Sequence, residues 1–117
     1  MLVSSSNPES EARSHPRYSV RKLAAYNYRG KRFLTVTLNL GLGGMMVDTT
    51  HYLPGDEDLD IQLALERNCI SPKGRVVHSR LVSERHYISG FQFIQVPEQD
   101  QSSLKNYLAT LRGWPKP

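Results

Sequence analysis

The sequence has little cysteine and no long apolar run, and both shortages narrow the kinds of protein it can be. Cys69 is the single cysteine among 117 residues, which excludes an internal disulfide framework. No apolar stretch approaches the roughly 20 residues that a membrane-spanning helix needs. Residues 1–10 lack the basic start and apolar centre of a signal peptide. We therefore expect a cytoplasmic protein without membrane insertion.

Groupings of residues that carry catalysis or hold metals are also missing. The histidines His15, His51, His78 and His86 are dispersed and have no cysteine cluster beside them, so no metal site is predicted. Cys69 has no adjacent histidine or carboxylate to activate it, and no nucleophile–base or carboxylate pair stands out. We expect a protein that is not an enzyme and that carries no resident cofactor.

Positive charge is concentrated at the start of the chain. The first 32 residues hold seven basic and two acidic side chains, a net charge of +5 in a chain whose total is +4. This distribution predicts an anionic partner near the N-terminus. The composition, with 38% hydrophobic residues, is typical of one soluble domain. We assign the domain to 13–112, with a disordered N-terminal tail over 1–12 and a short tail over 113–117.

Alternation of apolar and polar residues predicts a mainly β protein. Residues 59–65 alternate strictly, and Arg29-Gly30 marks a hairpin turn after the first strand. The predicted strands span residues 18–28, 31–40, 45–47, 59–65, 75–82 and 87–96. In the second of these, Phe33, Thr35, Thr37 and Asn39 share one face and Leu34, Val36, Leu38 and Leu40 share the other. Short strands with antiparallel hairpin signals indicate a small barrel or sandwich.

The end of the chain has a different period. Leu104, Tyr107, Leu108 and Leu111 lie at i, i+3, i+4 and i+7, which predicts a helix over 102–112 with one apolar stripe. Asp100 or Ser102 is expected to cap its N-terminus. Because so short a helix is marginal alone in water, we expect it to pack against the barrel.

Two short motifs carry most of the functional information. The first is Arg13-Ser14-His15-Pro16-Arg17, and the second is Asn39-Leu40-Gly41-Leu42-Gly43-Gly44. Arginine forks bind planar bases and phosphates, asparagine offers a donor and an acceptor, and glycines let a ligand approach the backbone. The two motifs together predict a site for a ligand that has both bases and phosphates.

These motifs, with the later segments Gly74-Arg75-Val76-Val77 and Gly90-Phe91-Gln92-Phe93, resemble the PilZ domain, a bacterial receptor module for cyclic di-GMP. The resemblance implies a six-stranded antiparallel β-barrel with a C-terminal α-helix. It also implies a set of ligand-binding residues: Arg13, Arg17, Asn39, Gly41 and Gly44. Arg21 is a reserve candidate, because 17–21 repeats the arginine spacing, although we expect it inside the first strand.

The chain departs from the family pattern at two positions. Gly41 stands where the family usually has serine, so a hydroxyl donor to the ligand is lost, and Gly41→Ser is expected to tighten binding. Ala12 stands where many members have a further arginine, which leaves open whether one or two nucleotides bind.

The resemblance implies a switch in which cyclic di-GMP orders residues 11–21 against the barrel, and a downstream protein then reads the changed surface to control motility, biofilm or exopolysaccharide. One alternative is a PilZ-like adaptor that does not bind nucleotide. Another is a barrel that binds single-stranded nucleic acid through Tyr26, Tyr28 and Phe33. We interpret these three aromatic residues as core, so nucleic acid is not the expected partner.

Overall fold

The computed structural model describes residues 16–113. The predicted tail 1–12, Arg13 and residues 114–117 lie outside the described residues. The described elements are β1 (Arg17–Tyr18), β2 (Leu23–Tyr28), β3 (Lys31–Gly41), β4 (Gly44–Thr49), β5 (Asp58–Ala64), β6 (Cys69–Ile70), β7 (Lys73–Ser83), β8 (His86–Gln95) and α1 (Glu98–Gly113).

Six of these strands form a closed antiparallel barrel. They are hydrogen-bonded in the order β3–β2–β5–β7–β8–β4, and a pairing between β3 and β4 closes the ring. Two short strands pair with members of this ring, β1 with β3 and β6 with β5. The predicted six-stranded barrel with a C-terminal helix is therefore confirmed.

The local sequence explains strand β5 and the β2–β3 hairpin of the barrel. In β5 the side chains of Leu59, Ile61 and Leu63 are buried while the intervening polar residues are exposed, as strict alternation predicts. The β2–β3 hairpin turns at Arg29 and Gly30, whose φ angles of 52° and 80° give the doubly left-handed turn that matches strand twist. Both features form from residues close in sequence.

The predicted first strand is wrong as a single element. Tyr18 pairs with Leu40 and Leu23 pairs with Val36. Between these two pairs the chain advances five residues on the β1–β2 side but only four residues along β3. The buried Thr37 fills this break: its hydroxyl donates to the Val20 carbonyl and accepts the Lys22 N–H at 2.8 Å. The chain therefore leaves the sheet after β1 and re-enters it at β2.

The helix begins four residues before its predicted start. Glu98 follows Pro97, and two acidic side chains, Glu98 and Asp100, occupy the first turn, where they complement the helix dipole. Asp100 does not cap this helix, because its carboxylate accepts the Ser71 N–H at 2.8 Å. The predicted apolar stripe is confirmed: Leu104 and Leu108 are buried in the main core. Within residues 16–113, no helix has the length and apolarity to cross a bilayer.

The barrel interior holds one continuous apolar core. Its largest fully buried side chains include Phe91, Leu40, Met45, Leu53, Leu59, Ile61, Leu63, Ile70 and Leu104. Tyr26 is 2% exposed and stacks on Phe33 with ring centroids 5.3 Å apart, and Tyr28 also packs against this core. Tyr26 is therefore a core residue, and Tyr28 and Phe33 are partly buried against the core, as expected.

Candidate functional site

Arg17 and Asn39 lie 22 residues apart in sequence and meet on the outside of the barrel. In β1, Arg17 stands opposite Gly41 of β3. Its Nη1 donates a hydrogen bond of 2.9 Å to the Asn39 side-chain oxygen, and both residues are half-buried. The fold thus joins the two motifs through one residue of each.

A β-bulge in β3 orients Asn39. Thr37 pairs with Val47 and Asn39 with Met46, so Leu38 is an extra residue in β3. The bulge reverses the alternation: Thr37 faces the interior before it, and Leu40 faces the interior after it. The leucine face predicted for this strand is consequently split, and Leu34 is 69% exposed. Asn39 is left on the outer surface beside Arg17.

Met46 is a site residue that the sequence reasoning missed. The Asn39 side-chain nitrogen donates to the Met46 sulfur at 3.3 Å, so the Asn39 amide is held between Arg17 and Met46. A sequence signal for Met46 existed, because Met45 and Val47 are the apolar, inward residues of a short strand and the residue between them must point outward. Its flexible thioether gives the site an adaptable apolar surface.

Glycine is required at position 41 because the chain at Pro16 and Arg17 passes directly over it. A Cβ atom at this position would lie 2.6 Å from the Pro16 carbonyl oxygen and 3.2 Å from Arg17 Cδ. In this arrangement of β1 and β3 we therefore expect Gly41→Ser to weaken binding, contrary to the expectation from the sequence, because a side chain at position 41 would push β1 away from β3. Gly41 serves the site by admitting Arg17, in addition to any contact that its N–H makes.

Gly44 has a packing role as well. A Cβ atom at this position would overlap the Phe91 carbonyl oxygen of the neighbouring β8. The carbonyl oxygen of the preceding residue, Gly43, accepts the Phe93 N–H at 2.8 Å, which holds the β3–β4 turn against β8. Glycine at position 44 is thus explained by the close approach of two strands.

The remaining two predicted arginines are not part of this described cluster. Arg13 lies outside the described residues. Arg21 is exposed in the segment between β1 and β2, so its predicted place inside the first strand is wrong. The reason is the break beside Thr37, which lifts residues 19–22 out of the β-ladder.

The described cluster is suited to binding an anionic ligand. Arg17 supplies a permanent positive charge and a planar fork, and Asn39 supplies a neutral amide. Within the part of the chain that the structure describes, no group of three or more His, Cys, Asp or Glu side chains could hold a metal ion.

Comparison with known proteins gives one family match. The model of the PilZ domain matches residues 11–110. No curated protein sequence matches the chain.

Several solved structures share the fold. The inhibitor of motility MotI/DgrA from Bacillus subtilis aligns with a TM-score of 0.75 at 16% identity, over 87% of this chain and 51% of that one. The complex of K. pneumoniae MrkH with c-di-GMP aligns with a TM-score of 0.72 at 20% identity, over 87% and 53%. The PilZ domain of Escherichia coli YcgR with c-di-GMP gives 0.66 at 12% identity, over 84% and 90%. The chain spans about half the length of the first two proteins.

Proposed function

The chain belongs to the PilZ domain family, and on that premise we propose that it is a non-catalytic receptor for cyclic di-GMP. The observation that carries the proposal is the hydrogen bond of 2.9 Å between Arg17 and Asn39, which brings the arginine and the asparagine–glycine motifs together. Two of the three solved structures named above are complexes with c-di-GMP, which supports the same ligand class.

The chemistry of the ligand suits these side chains. Cyclic di-GMP presents two guanine bases and two phosphates. The Arg17 guanidinium can fork onto a guanine edge or pair with a phosphate, and a charged donor strengthens either bond. Asn39 holds Arg17 before the ligand arrives, so less side-chain freedom is lost on binding. Arg13, four residues upstream, is the second arginine of the proposed site, with Arg21 in reserve.

The proposed output is a protein contact controlled by the N-terminal segment. Ligand binding orders residues 11–21 over the barrel, and a downstream protein in motility, biofilm or exopolysaccharide control reads the new surface. Residues 13–112 act as the single domain in this scheme, in the cytoplasm and without membrane insertion or a nucleic-acid partner. β1 supports it, because Arg17 and Tyr18, which lie within this segment, pair with Gly41 and Leu40 of β3.

Calorimetric titration of the whole chain with cyclic di-GMP tests the proposal, with GTP and a short RNA as control ligands. We expect micromolar or tighter binding to cyclic di-GMP alone, and loss of that binding in Arg17→Ala with an unchanged melting temperature. Arg13→Ala and Arg21→Ala form a matched pair: loss in the first alone assigns the site to 13 and 17.

Each other outcome has a defined meaning. No heat from cyclic di-GMP favours the adaptor that does not bind nucleotide. Heat from RNA alone favours a nucleic-acid-binding barrel. Arg17→Ala binding within about twofold of the native chain would contradict the assigned site.

A further inference from the structure

The outer face of β2 and β3 carries an exposed apolar strip. Leu23 pairs with Val36 and Leu34 pairs with Ala25, and directly paired residues share a face of the sheet. These four side chains form the leucine strip, in which Leu34 is 69% exposed and Leu23 is 58% exposed. Adjoining apolar side chains that are left open to solvent indicate an interaction surface, whereas single ones need no explanation.

The charged residues around the leucine strip are positive. Residues 16–41 hold six basic side chains and no acidic one. Arg32 lies two residues before Leu34 and therefore on the same face of β3, and its hydrogen bond to the neutral amide of Gln62 does not neutralise its charge. This surface favours a partner that is both apolar and acidic. Three further exposed cations flank the strip: Arg29 and Lys31 at the hairpin turn, and Arg21 at the opposite end.

The carboxylates of the neighbouring strand β5 already have basic partners. Asp58 accepts a hydrogen bond of 2.9 Å from Arg75 Nε, and Asp60 lies 3.3 Å from Lys73 Nζ. These pairs reduce the negative charge that β5 of a second copy of this chain could offer to the leucine strip. A partner protein with its own unpaired carboxylates complements the basic residues better.

The geometry of the leucine strip suits a helix. β2 is hydrogen-bonded to β3 on one side and to β5 on the other, so a partner cannot add a strand beside it. Leu34 and Val36 are two residues apart in a strand, a distance of about 6.6 Å, which is close to the rise of about 6 Å between positions i and i+4 of an α-helix. One apolar stripe of a helix can therefore contact both side chains.

The β7–β8 hairpin has an exposed leucine without this charge pattern. Leu81 is 59% exposed and pairs with Tyr87, but Glu84 and Arg85 are neighbours in the adjoining turn. Charges of both signs give that face no preference for an acidic partner. Leu81 is therefore a matched control for Leu34.

We propose that the leucine strip binds an acidic amphipathic helix of a partner protein. The apolar stripe of that helix covers Leu23 and Leu34, and its carboxylates pair with Arg32 and Arg21. This inference rests on the proposed function, because it names the kind of protein that the receptor contacts. Arg21 belongs to residues 11–21, the segment that cyclic di-GMP orders in the proposed switch, so the ligand fixes one of the flanking cations and strengthens docking.

Two labelled helical peptides of about 18 residues test the proposal by fluorescence anisotropy. One has leucine at i, i+3, i+4 and i+7 with glutamate on either side of the stripe, and the other has lysine in place of every glutamate. With cyclic di-GMP present, we expect the native chain to bind the glutamate peptide at least about tenfold more tightly than the lysine peptide. Leu34→Ser should bind it roughly ten- to hundredfold more weakly, and Leu81→Ser should bind as the native chain does.

Calorimetric titration of the same variants with cyclic di-GMP separates this inference from the function on which it rests, because Leu34→Ser should keep the native affinity for the nucleotide. Equal binding of the glutamate peptide to the native chain and Leu34→Ser, or equal binding of the two peptides, would overturn the docking surface and leave the receptor function standing. Absence of cyclic di-GMP binding by the native chain would overturn the receptor function itself.

The remaining outcomes concern the ligand and the other occupants of the leucine strip. Peptide binding that does not change when cyclic di-GMP is added would overturn the contribution of Arg21. If the glutamate peptide does not bind, the acidic helix is wrong. Self-association in sedimentation, or binding to phosphatidylglycerol vesicles, that Leu34→Ser then removes would assign the leucine strip to a second copy or to a membrane surface instead.

Discussion

Arg17 and Gly41 act as a matched pair of residues. The arginine stem crosses the position where any other residue at 41 would place its side chain, and the Pro16 carbonyl lies over the same point. The Arg17 head then reaches Asn39. Glycine at position 41 lacks the hydroxyl that serine would offer the ligand. It leaves space for Pro16 and Arg17 instead, and so it helps to position Arg17.

Gly41→Ala is expected to weaken binding of cyclic di-GMP without unfolding the barrel. The added Cβ atom forces β1 outward, and overpacking of this kind costs about 1–3 kcal/mol, or roughly 5- to 150-fold in affinity if all of it falls on the binding-competent arrangement. Titration calorimetry and a thermal melt measure the two effects. Gly55→Ala is the control, because nothing lies within 4 Å of a Cβ atom there. Tighter binding by Gly41→Ala would contradict this prediction and show that displacement of β1 from β3 favours binding of the ligand.

At the scale of elements, one buried threonine connects the arginine segment to the barrel. Thr37 of β3 bonds to Val20 and Lys22, on the connection that joins β1 to β2. Lys22 Nζ in turn lies 5.3 Å from the centre of the Tyr107 ring on α1. The connection between β1 and β2 therefore contacts both the barrel and the helix.

Thr37→Val is expected to lower the free energy of unfolding by about 1–3 kcal/mol. Valine has a similar shape but leaves the Val20 carbonyl and the Lys22 N–H without the hydroxyl that now bonds to them. Thr37→Ser retains the hydroxyl and is the matched control, with a smaller loss from the missing methyl group. Urea denaturation monitored by circular dichroism measures both variants. Equal losses would show that the methyl contact, and not the hydroxyl, stabilises this connection.

At the scale of the whole molecule, Tyr26 places an ionisable hydroxyl inside the barrel. Tyr26 is 2% exposed, its hydroxyl lies 3.0 Å from His51 Nε2, and burial raises the pKa of Tyr26 to about 12 from its ordinary value of 10.0. The folded protein therefore keeps this proton at a pH where the unfolded chain releases it. Stability is complete below pH 10 and falls as the pH rises towards 12.

Removal of this hydroxyl should abolish that part of the alkaline loss. We expect the native chain to lose about 2–3 kcal/mol of unfolding free energy between pH 10 and about 12, and Tyr26→Phe to lose much less. Tyr26→Phe also starts lower at pH 8, because its bond to His51 is gone. Denaturation at a series of pH values measures the slope. Tyr52→Phe, at an exposed tyrosine, should keep the native slope.

Local patterns were enough to predict much of the architecture. Alternation in 59–65, the turn at Arg29-Gly30 and the stripe that includes Leu104 and Leu108 are properties of neighbouring residues, so they are readable before folding. The motifs around Arg17 and Asn39 were also recognisable from residue type and spacing, and the resemblance they carried indicated the family.

Tertiary structure alone decided how those pieces meet. A period of two is satisfied in many registers, so the sequence could not reveal that Leu38 is bulged or that the chain breaks beside Thr37. The passage of Pro16 over Gly41 and the ring of His78 over Gly90 join residues that are distant in sequence. The sequence was sufficient for the six strands of the barrel, for the helix and for the residue types that the site contains, but not for the short strands β1 and β6. The register between strands decided which of those residues share a surface, because only strand pairing brings distant side chains within contact of one another.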